Sequence, residues 1–161
     1  MEQTPYRAVF FDLDGTLLNS DKILTARTAE TLARAAAAGI EIVPASGRFY
    51  AAFPEAVRAL DFVHYAITIN GAQVIDLRRG CPLLTADIPN ARALEIMAYL
   101  DTLPVIYDCY MDNWGWMTEA MRARIPEFAP NAHYLQMLID LRRPVPELKA
   151  HLSQVGHDVQ K

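Results

Sequence analysis

Apolar runs, more than strict alternation, mark the first half of the chain. Ala8-Val9-Phe10-Phe11 is an aromatic-rich stretch that predicts a buried strand, and it stops abruptly at Asp12-Leu13-Asp14-Gly15. A polar connection over residues 19–24 holds the turn formers Asn19, Ser20, Asp21 and Lys22. Thr25 then reads as the N-cap of a helix running to about Ala38, which Gly39 stops. Its Ala33, Ala36 and Ala37 offer a face that can pack closely on a sheet. Residues 40–45 predict the next strand and complete a β-α-β unit, whose crossover is right-handed by rule. A helix over 54–60 and a strand over 65–69 continue the pattern.

From Gln73 the rhythm changes. Residues 73–77 and 82–86 predict two short strands around Arg78-Arg79-Gly80, a hairpin. A helix over 90–100 carries Leu94, Met97 and Leu100 at helical spacing, a core stripe. Residues 105–110 and 114–118 form a second predicted hairpin around Met111-Asp112-Asn113. A strand over 135–141 and a helix over 146–155 complete the pattern. The fold class is therefore α/β. A partial parallel-sheet core occupies residues 1–75, and an α+β region occupies 76–161.

Composition narrows this picture only modestly. The chain has 161 residues, about half of them apolar, as a globular protein requires. A net charge of −4 and the absence of any Lys/Arg run give no electrostatic reason to expect nucleic acid. The first seven residues lack a basic and apolar leader pattern, and no uncharged apolar stretch nears the roughly 18 residues needed to span a bilayer. The expectation is a soluble cytoplasmic protein without membrane partners. Cys81 and Cys109 stand apart in no metal or redox spacing and read as small core residues. His64, His133, His151 and His157 are scattered, and none is assigned a role.

The candidate chemistry lies at the strand ends. Two carboxylates one residue apart on extended backbone share a side, and Gly15 allows a sharp turn directly after them. The carboxyl end of a strand is where open α/β sheets build their sites. Such a pair can attack phosphorus with one carboxylate and move the leaving-group proton with the other. A divalent cation is then needed beside them to offset anion–anion repulsion, and hard oxygen ligands suit magnesium. The second strand ends in Ser46-Gly47-Arg48, where a hydroxyl, a flexible backbone and a guanidinium suit a phosphate oxygen. Arg48 could equally serve as a capping or exposed arginine. The third ends in Asn70-Gly71-Ala72, a turn signal in which Asn70 is either a substrate contact or a backbone device.

The run from Asp12 through Gly15, Thr16, Leu17, Leu18, Asn19 and Ser20 resembles the first signature motif of the haloacid dehalogenase superfamily of phosphohydrolases. Ser46-Gly47-Arg48 and Asn70-Gly71-Ala72 resemble the corresponding motifs of its Cof-type phosphatases. The resemblance implies Asp12 as nucleophile, Asp14 as general acid/base, and Ser46 as holder of the transferring phosphoryl group. It also implies magnesium bound by the Asp12 side chain and the Asp14 carbonyl, with Gly15, Thr16, Gly47, Arg48, Asn70 and Gly71 lining the phosphate and substrate site. It implies a Rossmann-like core with an inserted cap that selects a small phosphorylated metabolite such as a sugar phosphate. In that cap Tyr107, Tyr110, Trp114 and Trp116 could stack on a substrate ring.

Two further motifs of the family are expected after the cap: a lysine beside the nucleophile and a Gly-Asp-x-x-x-Asp loop completing the metal site. Neither is present, and Lys22, Lys149 and Lys161 lie outside any returning core strand. The sequence thus reads as truncated within the cap, short of about a hundred residues by usual domain sizes. Two expectations follow: a phosphatase acting through an aspartyl-phosphate, or a catalytically silent binding and assembly module. An uncovered sheet edge beside the first strand would invite a second copy of the chain.

Overall fold

A computed structural model describes residues 6–161; the reading of the leader pattern at residues 1–5 lies outside the described residues. The chain divides into two compact units, 1–86 and 87–161. The boundary expected at 75/76 falls within a strand, because the whole 73–85 hairpin is hydrogen-bonded into the first sheet.

The first unit holds β1 (Ala8–Asp12), α1 (Ala26–Ala37), β2 (Glu41–Ala45), α2 (Glu55–Arg58), β3 (Tyr65–Thr68), β4 (Gln73–Asp76) and β5 (Cys81–Thr85). The strands form one sheet in the order β1-β2-β3-β4-β5. β1, β2 and β3 are parallel, and β4 and β5 return antiparallel. The register pairs Asp12 with Ala45 and Ala45 with Ile67, so the carboxyl ends of the three parallel strands lie side by side. Helix α1 begins where Thr25 accepts a hydrogen bond from the Thr28 amide, and it packs on β2. Leu13, Leu17, Leu18, Phe53, Val57 and Ala66 form the core beneath the strand ends.

The position of β1 changes one expectation. The strand forms where the apolar run predicts it, but it is not buried: Val9 is 40% and Phe10 63% exposed. β1 is the edge of the sheet, and consecutive residues on a strand face opposite sides, so both of its faces as well as its outer edge are open.

The second unit contains α3 (Asn90–Leu100), β6 (Cys109–Met111), β7 (Trp114–Thr118), α4 (Glu119–Ala123), α5 (Ala132–Asp140), β8 (Arg142–Val145) and α6 (Leu148–Val155). β6 and β7 form an antiparallel hairpin through Asp112 and Asn113, both left-handed, the geometry that tight two-residue hairpins require. β8 pairs parallel to β7 after the α4–α5 crossover. Ala93, Met97, Cys109, Met111, Val145, Leu148, Leu152 and Val159 make a separate core.

Residues 135–141, expected as a strand, belong instead to α5 and its C-cap. The Asn131 side chain accepts the Tyr134 amide at 2.8 Å, capping the helix, and Gln136 donates to Asp140 one turn on. The run Leu135-Gln136-Met137-Leu138-Ile139 is too apolar for its period to discriminate, so the cap decides. The strand lies just beyond, in the polar Arg142-Arg143-Pro144-Val145. Proline is tolerated there because β8 is an edge strand. Among the described residues no helix is long and apolar enough to cross a membrane.

Candidate active site

The site grows from the turn after β1. Gly15 takes φ +85°, a left-handed conformation open to glycine, and the chain folds back. The Leu17 amide then reaches the Asp12 carbonyl at 3.2 Å, and the Leu18 amide reaches the Leu13 carbonyl at 2.9 Å. Leu13, Leu17 and Leu18 are buried, which anchors the turn while Asp12, Asp14, Gly15 and Thr16 stay exposed. The Asp12 carboxylate makes no hydrogen bond or ion pair with any described residue.

Asp14 is held differently. Arg48 grips it as a fork, Nε to Oδ2 at 2.9 Å and Nη2 to Oδ1 at 2.8 Å, and also donates Nη1 to the Ala52 carbonyl at 3.0 Å. The Lys22 ammonium stands 3.1 Å from Asp14 Oδ1. Partial burial pushes the Asp14 carboxyl up, but hydrogen bonds and charge from Arg48 and Lys22 outweigh this and hold it below the usual carboxylate range.

Ser46 is buried at the end of β2. Its amide donates to the Ile67 carbonyl at 2.9 Å, and its hydroxyl accepts the Arg48 amide at 3.3 Å. The β3 end locks onto it: the Asn70 amide donates to the Ser46 carbonyl at 3.1 Å, and the Ile69 amide to the Arg48 carbonyl at 3.0 Å. Ile69, Asn70 and Gly71 all have positive φ, so the chain turns sharply at this point. A Cβ on Gly47 would stand 2.5 Å from Asn70 Oδ1, so a larger residue there would have to displace the Asn70 side chain.

Direct bonds thus join Asp14, Ser46, Arg48 and Asn70, with Gly47 packed against Asn70. The strand register sets Asp12 beside Ala45, next to Ser46. Lys22 is the residue that sequence reasoning missed. It lies in a segment read as a plain polar connection, and its approach to Asp14 depends on the path of that loop. For a cation, this turn offers the exposed Asp12 carboxylate together with main-chain oxygens, and the resemblance would add the Asp14 carbonyl as the second ligand. No group of three or more His, Cys, Asp or Glu able to hold a metal occurs among the described residues. Two protein ligands fit magnesium, which retains several waters and takes one or two carboxylates.

The aromatic candidates of the second unit already face protein groups. Tyr107 donates to Asp101 at 2.6 Å, and Tyr110 is buried beneath the Arg142 guanidinium at 5.2 Å. Trp116 donates to the Met111 carbonyl and lies 4.5 Å from the His151 ring, while Arg143 covers Trp114 at 4.0 Å.

Two acids thus lie at the end of an edge strand, with a serine and an arginine from the neighbouring strand end. Residues 9–146 match the haloacid dehalogenase-like hydrolase family, and the chain belongs to it. It is 32% identical over 142 residues to an HMP-PP phosphatase of Serratia proteamaculans (strain 568), covering 86% of this chain and 50% of that protein. It is also 32% identical over 107 residues to the pyridoxal phosphate phosphatase YbhA of Escherichia coli (strain K12), covering 66% and 39%. A haloacid dehalogenase-like hydrolase from Bacteroides thetaiotaomicron shares the fold with TM-score 0.71 at 23% identity, over 90% of this chain and 53% of that one. The fold is thus the α/β, Rossmann-like fold of this family. The chain spans about half the length of the first curated relatives it matches.

Proposed function

We propose that the first unit carries the phosphoryl-transfer residues of a magnesium-dependent phosphomonoester hydrolase acting on a small phosphorylated metabolite such as a sugar phosphate. The observation that carries this reading is the pairing at one strand end of an exposed, unpartnered Asp12 carboxylate with an Asp14 held by Arg48. Asp14, freed of Arg48 when the phosphate group binds, takes up a proton; Asp12 then attacks phosphorus, the bond to the leaving oxygen breaks, and that oxygen takes the proton from Asp14. An aspartyl-phosphate remains on Asp12. Asp14 then removes a proton from water, whose oxygen attacks phosphorus and releases inorganic phosphate and free Asp12.

Arg48 moves its fork from Asp14 to the phosphoryl oxygens, which frees Asp14 for proton transfer, and the Ser46 hydroxyl donates to the same group. Magnesium held by the Asp12 side chain and the Asp14 carbonyl supplies charge neutralisation. The second unit serves as the cap that selects the substrate, and the protein works in the cytoplasm without nucleic-acid or membrane partners. A second copy of the chain covers the open edge of β1.

A second reading has support of its own. The bare β1 edge, on which another chain could pair, favours a catalytically silent binding and assembly module. Turnover of p-nitrophenyl phosphate with and without magnesium separates the two. The phosphatase reading expects magnesium-dependent turnover that Asp12→Asn abolishes. Absence of turnover at millimolar magnesium, together with weak magnesium affinity, would favour the silent module.

A further inference from the structure

Asp14 is contacted by two cations where one would suffice. Both of its oxygens are already engaged by the Arg48 fork at 2.9 and 2.8 Å, yet the Lys22 ammonium also stands at 3.1 Å. Lys22 does not arrive there by relaxed geometry. Its φ of 62° is left-handed, a conformation unfavourable for a non-glycine residue. Asn19 braces it: Asn19 Oδ1 accepts the Asp21 and Ile23 amides at 3.0 and 2.8 Å, its carbonyl accepts the Lys22 amide at 2.9 Å, and its amide donates to Ile23 at 3.1 Å. The loop holds a left-handed backbone that sets a lysine against Asp14.

Charge suits Lys22 to an anion. Asp12 and Asp14 contribute two negative side-chain charges and Arg48 one positive; Lys22 adds a second positive charge, which brings the side chains of this turn to balance and, beside the magnesium of the proposed function, favours a phosphate anion. The Lys22 side chain is 40% exposed, and an ammonium has three donors, so it can meet an incoming anion while still beside Asp14. Lys22 is also the only lysine in the first unit; Lys149 pairs with Asp101, and Lys161 stands over the Tyr110 ring.

We propose that Lys22 is a phosphoryl-binding residue, passing from Asp14 to a non-bridging oxygen of the bound phosphate group as Arg48 does. The inference rests on the phosphatase reading of this site. It assigns to the Asn19–Ile23 loop a cation that docks the phosphate of a phosphomonoester or of free inorganic phosphate.

The test is titration of the whole chain with inorganic phosphate in the presence of magnesium, followed by the amide shifts of Gly15, Thr16 and Gly47. The variants are Lys22→Gln, Lys22→Arg, Lys22→Gly and Arg48→Ala. Lys22→Gln and Lys22→Gly should weaken phosphate binding about tenfold, the size of one charge-assisted hydrogen bond, and flatten its dependence on salt. Lys22→Arg should restore most of it. Lys22→Gly should melt no lower than the parent, because glycine accepts the left-handed backbone, so lost binding would not reflect lost folding. Unchanged phosphate affinity in Lys22→Gln alongside a loss in Arg48→Ala would overturn the role of Lys22 and leave the phosphatase reading standing. A parent chain with no response to 20-fold more phosphate than about 1 mM would overturn both.

Discussion

At the scale of single residues, environment separates side chains of one type. Asp12 is exposed and has no hydrogen-bond or ion-pair partner among the described residues, whereas Asp14, two residues on, is held by two cations; the difference comes from what the neighbouring loops bring to each. The cysteines divide as sharply. Cys81 is exposed on β5, while Cys109 lies in the second core, where burial and the nearby Asp108 charge push its thiol up to about 12. Iodoacetamide at pH 8 should therefore alkylate Cys81 in the folded chain and reach Cys109 only after denaturation, as mass spectrometry would show. Equal labelling of both would place Cys109 outside a packed core. Cys81, expected in the core like Cys109, is instead exposed, because all five residues of the edge strand β5 are exposed.

At the scale of elements, legibility followed the number of independent local signals. Helix α1 has an N-cap threonine, a periodic face and a stopping glycine, and α3 has a clear stripe; both form where the pattern sets them. Helix α5 had one discriminating signal, Asn131, against an apolar run that suits either period, and β8 had a proline and two arginines that argue against a strand. Of the site, Asp12, Asp14, Ser46 and Arg48 were legible because each ends a strand in a compact motif. Lys22 was not, since only the bracing by Asn19 turns it toward Asp14. The β7–β8 pair has a sharper requirement. A Cβ on Gly115 would stand 2.5 Å from Arg142 Cδ and 2.9 Å from the Leu141 carbonyl, the latter backbone that cannot swing aside. Gly115→Ala should lower the stability of the second unit by about 1–3 kcal/mol, read as a shifted urea midpoint. An unchanged midpoint would mean that β8 does not pack against β7 this closely.

At the scale of the whole molecule, the two units differ in how completely they close. The second has its own core, and its outer segments are stitched together: Ile88 and Val159 exchange two backbone bonds at 2.7 and 2.9 Å, and Tyr110 bonds to Gln160 and Lys161 at 2.7 and 2.8 Å. Residues 87–161 made alone should unfold in one cooperative thermal transition and give dispersed amide resonances; a molten, poorly dispersed spectrum would refute this independence. The first unit, by contrast, leaves Val9 and Phe10 open on opposite faces of β1. That strand terminates in Asp12, the unpartnered acid. If Asp12 is the attacking acid, as proposed, a second chain seated along β1 would also exclude water from it, so specific activity is expected to climb with protein concentration; a flat dependence would separate the two.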